Sequence, residues 1–348
     1  MRMRIMLLLA CMAGFVVQGF CQVSSPPPPP PPKIPVIFDT DIGSDIDDTW
    51  ALALLLCSPE LDLRMVVTDS HDTKGRAQIV AKFLHDVTRS DIPVGIGTKT
   101  SDKQGPQFAW AKDYDLSKYP GTIHQDGVGA MIDFIHDATE KITLIVVGPC
   151  PNIQEMLRRA PDVVNKVRVI AMSGSVEKGY DGVHTPDAEY NVREDVLSAR
   201  AMYTADWDLT IAPLDTAGLV TIRGAKYQDL LHAKNPVFVK LLENYRKWLE
   251  EGKINIPIDA RSSTLFDCVA VYLAFDQSLC EMKSLPVKVD NLGYTVVSPG
   301  AKIIHVAMNW TDLGKFEDLL VERIKKGMPL SPMEVEAAAA AAAAAKKR

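Results

Sequence analysis

The sequence has little cysteine and no spacing that would organise it. Six cysteines occur in 348 residues, and Cys11 and Cys21 fall in the leading apolar segment. The others, Cys57, Cys150, Cys268 and Cys280, are far apart and form no CxxC. Neither a disulfide framework nor a zinc site is expected from them. Excess basic charge is also missing. The net charge is -6, whereas a general nucleic-acid binder is usually basic, so no nucleic-acid partner is expected. Past the N-terminal segment there is no second apolar run long enough to cross a bilayer, which excludes a multispanning membrane protein. No internal repeat and no Pro/Gly/Ser linker interrupts residues 34–330. What remains is ordinary globular usage, 47% hydrophobic and 24% charged, enough to bury a site inside a large core.

The two ends read as separate from the domain. In residues 1–21, Arg2 and Arg4 precede the apolar stretch from Ile5 to Phe20. That order predicts a signal peptide cleaved near Cys21 and an exported protein, periplasmic or extracellular. An uncut signal anchor and a lipoprotein box ending at Cys11 are the alternatives. Residues 22–33 carry the run Pro26 to Pro32, an extended polyproline spacer. Residues 331–348 contain alanines 337 to 345 followed by Lys346, Lys347 and Arg348. They read as a solvated tail with no apolar face to bury. The domain is expected over residues 34–330, with no membrane contact beyond the export signal.

Within it, apolar runs at Pro35–Asp39, Leu63–Thr68, Ile92–Gly97, Ile142–Val147, Val167–Met172 and Leu209–Pro213 read as strands. Helical patterns lie at Thr49–Cys57, Lys74–Val87, Gly127–Ala138, Asn152–Arg159 and Val192–Tyr203. This alternation predicts an α/β fold, an open, mostly parallel, Rossmann-like sheet with helices on both faces. Val237–Gly252 and Thr264–Phe275 make the later part mainly helical. Ligands of such sheets bind beyond the carboxyl ends of the strands, here after Phe38, Val67, Val147, Met172 and Pro213.

The first of those points carries the densest chemistry. Asp39, Asp41, Asp45, Asp47 and Asp48 place five carboxylates within ten residues. Helix capping accounts for one or two of them. The rest repel one another unless protons or a cation intervene. Oxygen donors without His or Cys suit a hard divalent ion such as calcium better than zinc. An EF-hand does not fit, because Gly43 is misplaced and Trp50 stands where a bidentate Glu belongs. Asp39-Thr40-Asp41 also fits a phosphatase of the haloacid dehalogenase type with Asp39 as nucleophile, but that leaves the extra acids unexplained.

The segment VIFDTDIGSDIDDTWALALLL resembles the N-terminal signature of the inosine–uridine-preferring nucleoside hydrolase family, D-x-D-P-G-x-D-D followed by a helix. Ile42 stands for the proline, and two extra residues separate Gly43 from the Asp pair. Asp47 and Asp48 are aligned with that pair, which leaves Asp45 in the insertion; the opposite choice stays open. Four later stretches match in family order. Ile123 to Gly129 resembles H-G-x-D-G-x-G, and Leu144 to Asn152 resembles the strand end G-P-L-T-N. Ala188 to Asn191 resembles A-E-F-N, and Ser263 to Asp267 resembles the late H-D segment.

The resemblance implies the nucleoside hydrolase fold and calcium-dependent cleavage of the N-glycosidic bond of ribonucleosides, giving ribose and free base. It implies a calcium ion held by Asp41, Asp48, Asp267 and the Val147 carbonyl, with Asp41 as general base. Asp47, Asp69, Glu189 and Asn191 would hold the ribose, and Phe266 would stack on the base. Relatives are commonly dimers or tetramers, so a homo-oligomer is expected. Two departures bear on the base. Many members carry His where Phe266 stands, and Val183 replaces a polar residue. His71, His124, His184, Trp110 and Tyr114 are the loop residues left to assist the leaving group. The departures also keep open a non-catalytic ribosyl- or nucleoside-binding protein.

Overall fold

Ten strands build one sheet: β1 Ile34–Thr40, β2 Leu61–Thr68, β3 Val94–Ile96, β4 Ile123–His124, β5 Ile142–Val146, β6 Val167–Met172, β7 Asp208–Ala212, β8 Cys280–Val289, β9 Thr295–Val297 and β10 Ile303–Trp310. The computed structural model describes residues 31–329. The signal peptide, nearly all of the proline-rich spacer and the alanine-rich tail lie outside the described residues. From Lys33 onward those residues pack as one unit.

The strand order is β4-β3-β2-β1-β5-β6-β7-β10-β8-β9. From β4 to β7, and on to β10, neighbours run parallel. The β10–β8 and β8–β9 pairs are antiparallel. The mostly parallel, doubly covered sheet read from the sequence is therefore what the chain forms. Strands with both faces covered are apolar throughout, as in the fully buried β5. Side chains alternate between two cores: Val36 and Phe38 pack on one face, Ile37 on the other. The first face is covered by helices Asp47–Leu56, Thr73–Asp86, Pro236–Gly252, Asp267–Leu273 and Leu313–Lys326. The second is covered by Gly127–Asp137, Pro151–Arg159 and Val196–Thr204. No helix among the described residues is long and apolar enough to cross a membrane.

Two sequence expectations need correcting. The two helices expected after residue 237 form, as Pro236–Gly252 and Asp267–Leu273, but β8, β9 and β10 extend the sheet beyond them. These strands face solvent on part of their surface, so they lack the continuous apolar run that marks a parallel strand. The helix expected over Val192–Tyr203 is two helices, Tyr190–Glu194 and Val196–Thr204, broken at Asp195. Asp195 leaves helical geometry and its carboxylate accepts from the Ser198 N–H, capping the second helix.

The sheet has a switch point between β1 and β5. Chain order runs outward from β1 through β2, β3 and β4 on one side, and from β5 through β6 and β7 on the other. The loops leaving β1 and β5 therefore diverge, and a crevice opens between them.

Candidate active site

A cavity of about 540 Å³ opens at that crevice. Six carboxyl groups line it: Asp41, Asp45, Asp47, Asp48, Glu189 and Asp267. Asp41 follows β1. Asp47 and Asp48 begin the Asp47–Leu56 helix, and Asp267 begins the Asp267–Leu273 helix, so each faces the positive end of a helix dipole. The two helices pack together, and carboxylate oxygens of Asp47, Asp48 and Asp267 lie within 4.8 Å of one another.

All three are buried. Burial pushes each far above the ordinary carboxylate range, and the neighbouring aspartates push in the same direction. Thr40 Oγ1 donates to Asp48 Oδ1 at 2.5 Å and fixes its rotamer. A close, dry, all-oxygen donor set with three potential negative charges fits a divalent cation.

Asp41 lies beside this triad. Burial raises its pKa, while the guanidinium of Arg76 lowers it. Arg76 is fully buried, with Nη2 3.5 Å from Asp41 Oδ2. It also donates to the Ser70 and Ile42 carbonyls and to Ser44 Oγ, at 2.9 to 3.0 Å. The sequence reading missed this residue. Its signal was available: Arg76 shares the buried stripe of its helix with Ile79, Val80 and Phe83.

The loop between β1 and its helix is anchored from outside. Gly43 sits at φ +123, where a Cβ would meet the Phe108 ring at 2.7 Å, so only glycine fits. Trp248 Nε1 donates to the Ser44 carbonyl at 2.9 Å, and Gln107 Nε2 donates to the Asp45 carbonyl. Asp45 lines the cavity but stays outside the triad, and burial raises it to about 6. The aligned pair Asp47 and Asp48, not Asp45, joins Asp267.

Glu189 caps the Tyr190–Glu194 helix. Its oxygens accept from the N–H groups of Gly174, Asn191 and Val192. Burial outweighs these bonds and raises it to about 7. Asn191 Nδ2 donates to the Val147 and Met172 carbonyls, at 3.0 and 3.2 Å. It thereby orients the Val147 carbonyl at the cavity and leaves its own Oδ1 without a hydrogen-bond partner among the described residues. Phe266 lines the cavity and meets Tyr180 edge-on, with ring centroids 6.1 Å apart.

Asp69 does not line the cavity. The β1–β2 ladder runs on through the Asp69 N–H to the Thr40 carbonyl, which turns the side chain into the interior against Asp39. Burial and Asp39 push Asp69 well up, whereas Asp39 stands at about 6. Gly148 closes over the pair; a Cβ there would meet Asp69 Oδ1 at 2.6 Å and Asp41 Cβ at 2.8 Å. Asp39 is fully buried, and Asn152 Nδ2 donates to its Oδ2. It is outside the cavity lining, which removes the phosphatase reading with Asp39 as nucleophile.

Of the loop residues considered for the leaving group, only His71 lines the cavity. Trp110 covers Lys82, and Tyr114 pairs with His85. Asp215, after β7, is likewise outside. It accepts from the N–H groups of Val176, Glu177 and Lys178 and so shapes the loop that carries Tyr180. Lys103 to Pro106, Tyr180, Tyr190, Trp248 and Ile254 also line the cavity and were not singled out as site residues from the sequence.

A family model described as inosine-uridine preferring nucleoside hydrolase matches residues 36–318. A non-specific ribonucleoside hydrolase of Klebsiella pneumoniae is 28% identical over 201 residues, 53% of this chain and 62% of that enzyme. The match therefore spans only about six tenths of that relative's length. A pyrimidine-specific ribonucleoside hydrolase of an Enterobacter species is 27% identical over 231 residues, 63% of this chain and 72% of that enzyme. Among solved structures, a plant nucleoside hydrolase superposes with a TM-score of 0.71 at 22% identity, covering 85% of this chain and 99% of its own. A purine-preferring ribonucleoside hydrolase from Gardnerella vaginalis gives 0.69 at 20% identity, covering 84% and 98%. With the family model spanning the sheet and every carboxylate of the cavity, the chain belongs to the inosine-uridine preferring nucleoside hydrolase family.

Proposed function

We propose that this chain hydrolyses the N-glycosidic bond of ribonucleosides, releasing ribose and free base, with calcium as its metal. The observation that carries the reading is the buried triad Asp47, Asp48 and Asp267, set in a cavity at the switch point of the sheet. Asp48, Asp267 and the Val147 carbonyl would hold the ion with Asp41, and Asp47 lies close enough to share it. Bound there, calcium would supply positive charge that holds the carboxylates ionised and a place for water.

The chain's own residues account for the rest. Asp41, raised by its burial with Arg76 opposing that rise, takes a proton from the attacking water. Asp47, Glu189 and Asn191 grip ribose hydroxyls, with the Asn191 Oδ1 as acceptor. The ring of carboxylates favours the positive charge that develops on the sugar as the bond breaks. Phe266 and Tyr180 offer flat apolar faces to the base.

The test is release of free ribose from a panel of purine and pyrimidine ribonucleosides, with and without a calcium chelator. Chelator-sensitive release supports the reading. Tight nucleoside binding without turnover, in folded calcium-loaded protein, would replace it with a binding protein. We also propose export, on the strength of residues 1–21. A mature N-terminus near Gln22 in material from outside the cytoplasm is the expected result.

A further inference from the structure

Hydrolysis leaves the electron pair of the broken bond on a base nitrogen, and departure is fast only when a proton meets it there. Phe266 has no proton to give. Outside the carboxyl groups, four ionisable side chains line the cavity: His71, Lys103, Tyr180 and Tyr190. Lys103 is exposed. The Tyr180 hydroxyl already accepts the Tyr190 N–H at 3.0 Å, and since burial raises both phenols, Tyr190 the more, it is geometry that separates them.

His71 and Tyr190 differ from these in being held together. His71 Nε2 lies 3.5 Å from Tyr190 Oη and 3.5 Å from Glu194 Oε1. Its other ring nitrogen, Nδ1, is 2.9 Å from Ser101 Oγ. Its backbone N–H donates to Thr100 Oγ1 at 2.8 Å. The ring is buried. The backbone beneath it is unusual. Ser70 and His71 both adopt left-handed φ, +51 and +50, where non-glycine residues are uncommon. Such strain persists where neighbours enforce it, and here Arg76 Nε grips the Ser70 carbonyl at 3.0 Å.

We propose that Tyr190 and His71 form the leaving-group arm of the site, with Tyr190 Oη giving a proton to the departing base and His71 replacing it. This rests on the hydrolase reading above. As the C1′–N bond breaks, its electron pair stays with the base, and the phenolic proton goes to the base. The His71 Nε2 proton then moves to Tyr190 Oη. The attacking water adds its oxygen to C1′ and yields its proton to Asp41. His71 ends neutral and Asp41 protonated, and exchange with solvent resets both.

Glu194 and Asp41 favour the charged imidazole, whereas burial, Arg76 and Lys103 oppose it. The balance, led by burial, holds His71 below the usual imidazole range. The loaded arm is therefore populated on the acid side of neutrality, and nucleoside turnover falls as pH rises.

The experiment compares inosine and uridine with 4-nitrophenyl β-D-ribofuranoside on the full chain with saturating calcium. Nitrophenolate leaves without needing a proton. His71→Asn is the main variant, because asparagine tolerates left-handed φ. It should lower kcat on both nucleosides by about 10²-fold or more and abolish the fall at higher pH. The nitrophenyl riboside should lose much less, so that the ratio of the two rates changes. Tyr190→Phe removes the direct donor and should shift the same ratio by about 10²-fold or more, and it reads the arm if the histidine variant folds poorly. Loss in equal proportion on both substrate classes, or no loss on nucleosides, overturns the arm and leaves the hydrolase reading standing. Failure of the parent chain to cleave either class overturns both.

Discussion

Six carboxyl groups crowd one side of the cavity, whereas the other side is built from His71, the Lys103–Pro106 loop, Tyr180, Trp248 and Ile254. The carboxyl side hangs on strand ends and helix starts, and its backbone is fixed by the sheet. The other side draws on segments outside strands and α-helices, at His71, Lys103–Pro106, Tyr180 and Ile254, and on Trp248 of the Pro236–Gly252 helix. The first side supplies charge and can do so only if it is rigid and dry. The second meets a flat, variable base and needs shape more than charge. The resemblance to the family is dense on the first side and thin on the second, where Phe266 departs from it.

The sharpest break in this division would come from Asp41→Asn. It should reduce kcat for ribose release by about 10³-fold, within the range for a general base, with calcium affinity less affected than by Asp48→Ala. Rate assays paired with calorimetric calcium titration check this, and full activity in Asp41→Asn would remove the base from the mechanism.

Next is Arg76→Met. It leaves Asp41 without its buried counter-charge and strips hydrogen bonds from two carbonyls and a hydroxyl. The expected loss is about 3–5 kcal/mol of stability by urea denaturation. A change near zero would mean that the cavity is far wetter than drawn.

A third effect depends on pH. Burial holds Asp39 and Asp45 near 6 and Glu189 near 7, and it raises the triad well above the usual carboxylate range. The unfolded chain releases the same protons at about 4. Their contribution to stability is therefore full below about pH 4 and is lost as pH rises through 6 to 7. Without metal, Tm should fall over that interval. Calcium at a concentration about a hundred times its Kd at neutral pH should restore about 2.7 kcal/mol there, and at that fixed concentration its increment should grow with pH. A calcium increment that is flat with pH would contradict the carboxylate side as described.

The smallest effect is expected at the aromatic side. Phe266→Leu should weaken base binding by about 1 kcal/mol, the scale of one ring contact. Steady-state kinetics should show a higher KM with kcat nearly kept. Equal loss in kcat would move Phe266 from binding to chemistry.

These contrasts also explain what could be read in advance. Strands β1, β2, β5, β6 and β7 were legible because a strand buried on both faces must be an apolar run. β8 and β10 were not, since their exposed positions break the run, and their pairing depends on an antiparallel partner that the local sequence does not specify. The Asp segment announced its own chemistry. Asp69 lies outside the cavity lining because the pairing of β1 with β2 continues through its N–H, which the local sequence does not specify. Arg76 and Tyr190 escaped for a related reason. Their partners, Asp41 and His71, are distant in sequence, and nothing local says that those atoms meet.

The Asp47–Leu56 helix is buried at all ten residues. It has no solvent face, so it can neither rotate nor slide without disturbing packing all around it. Two of the triad's carboxylates are thereby indexed to the sheet, and drift in sequence cannot easily relocate them. Change in what the cavity accepts is left to the loops, where insertions are absorbed at little expense. A chain built this way can change what its cavity accepts while its carboxylates stay where the sheet puts them.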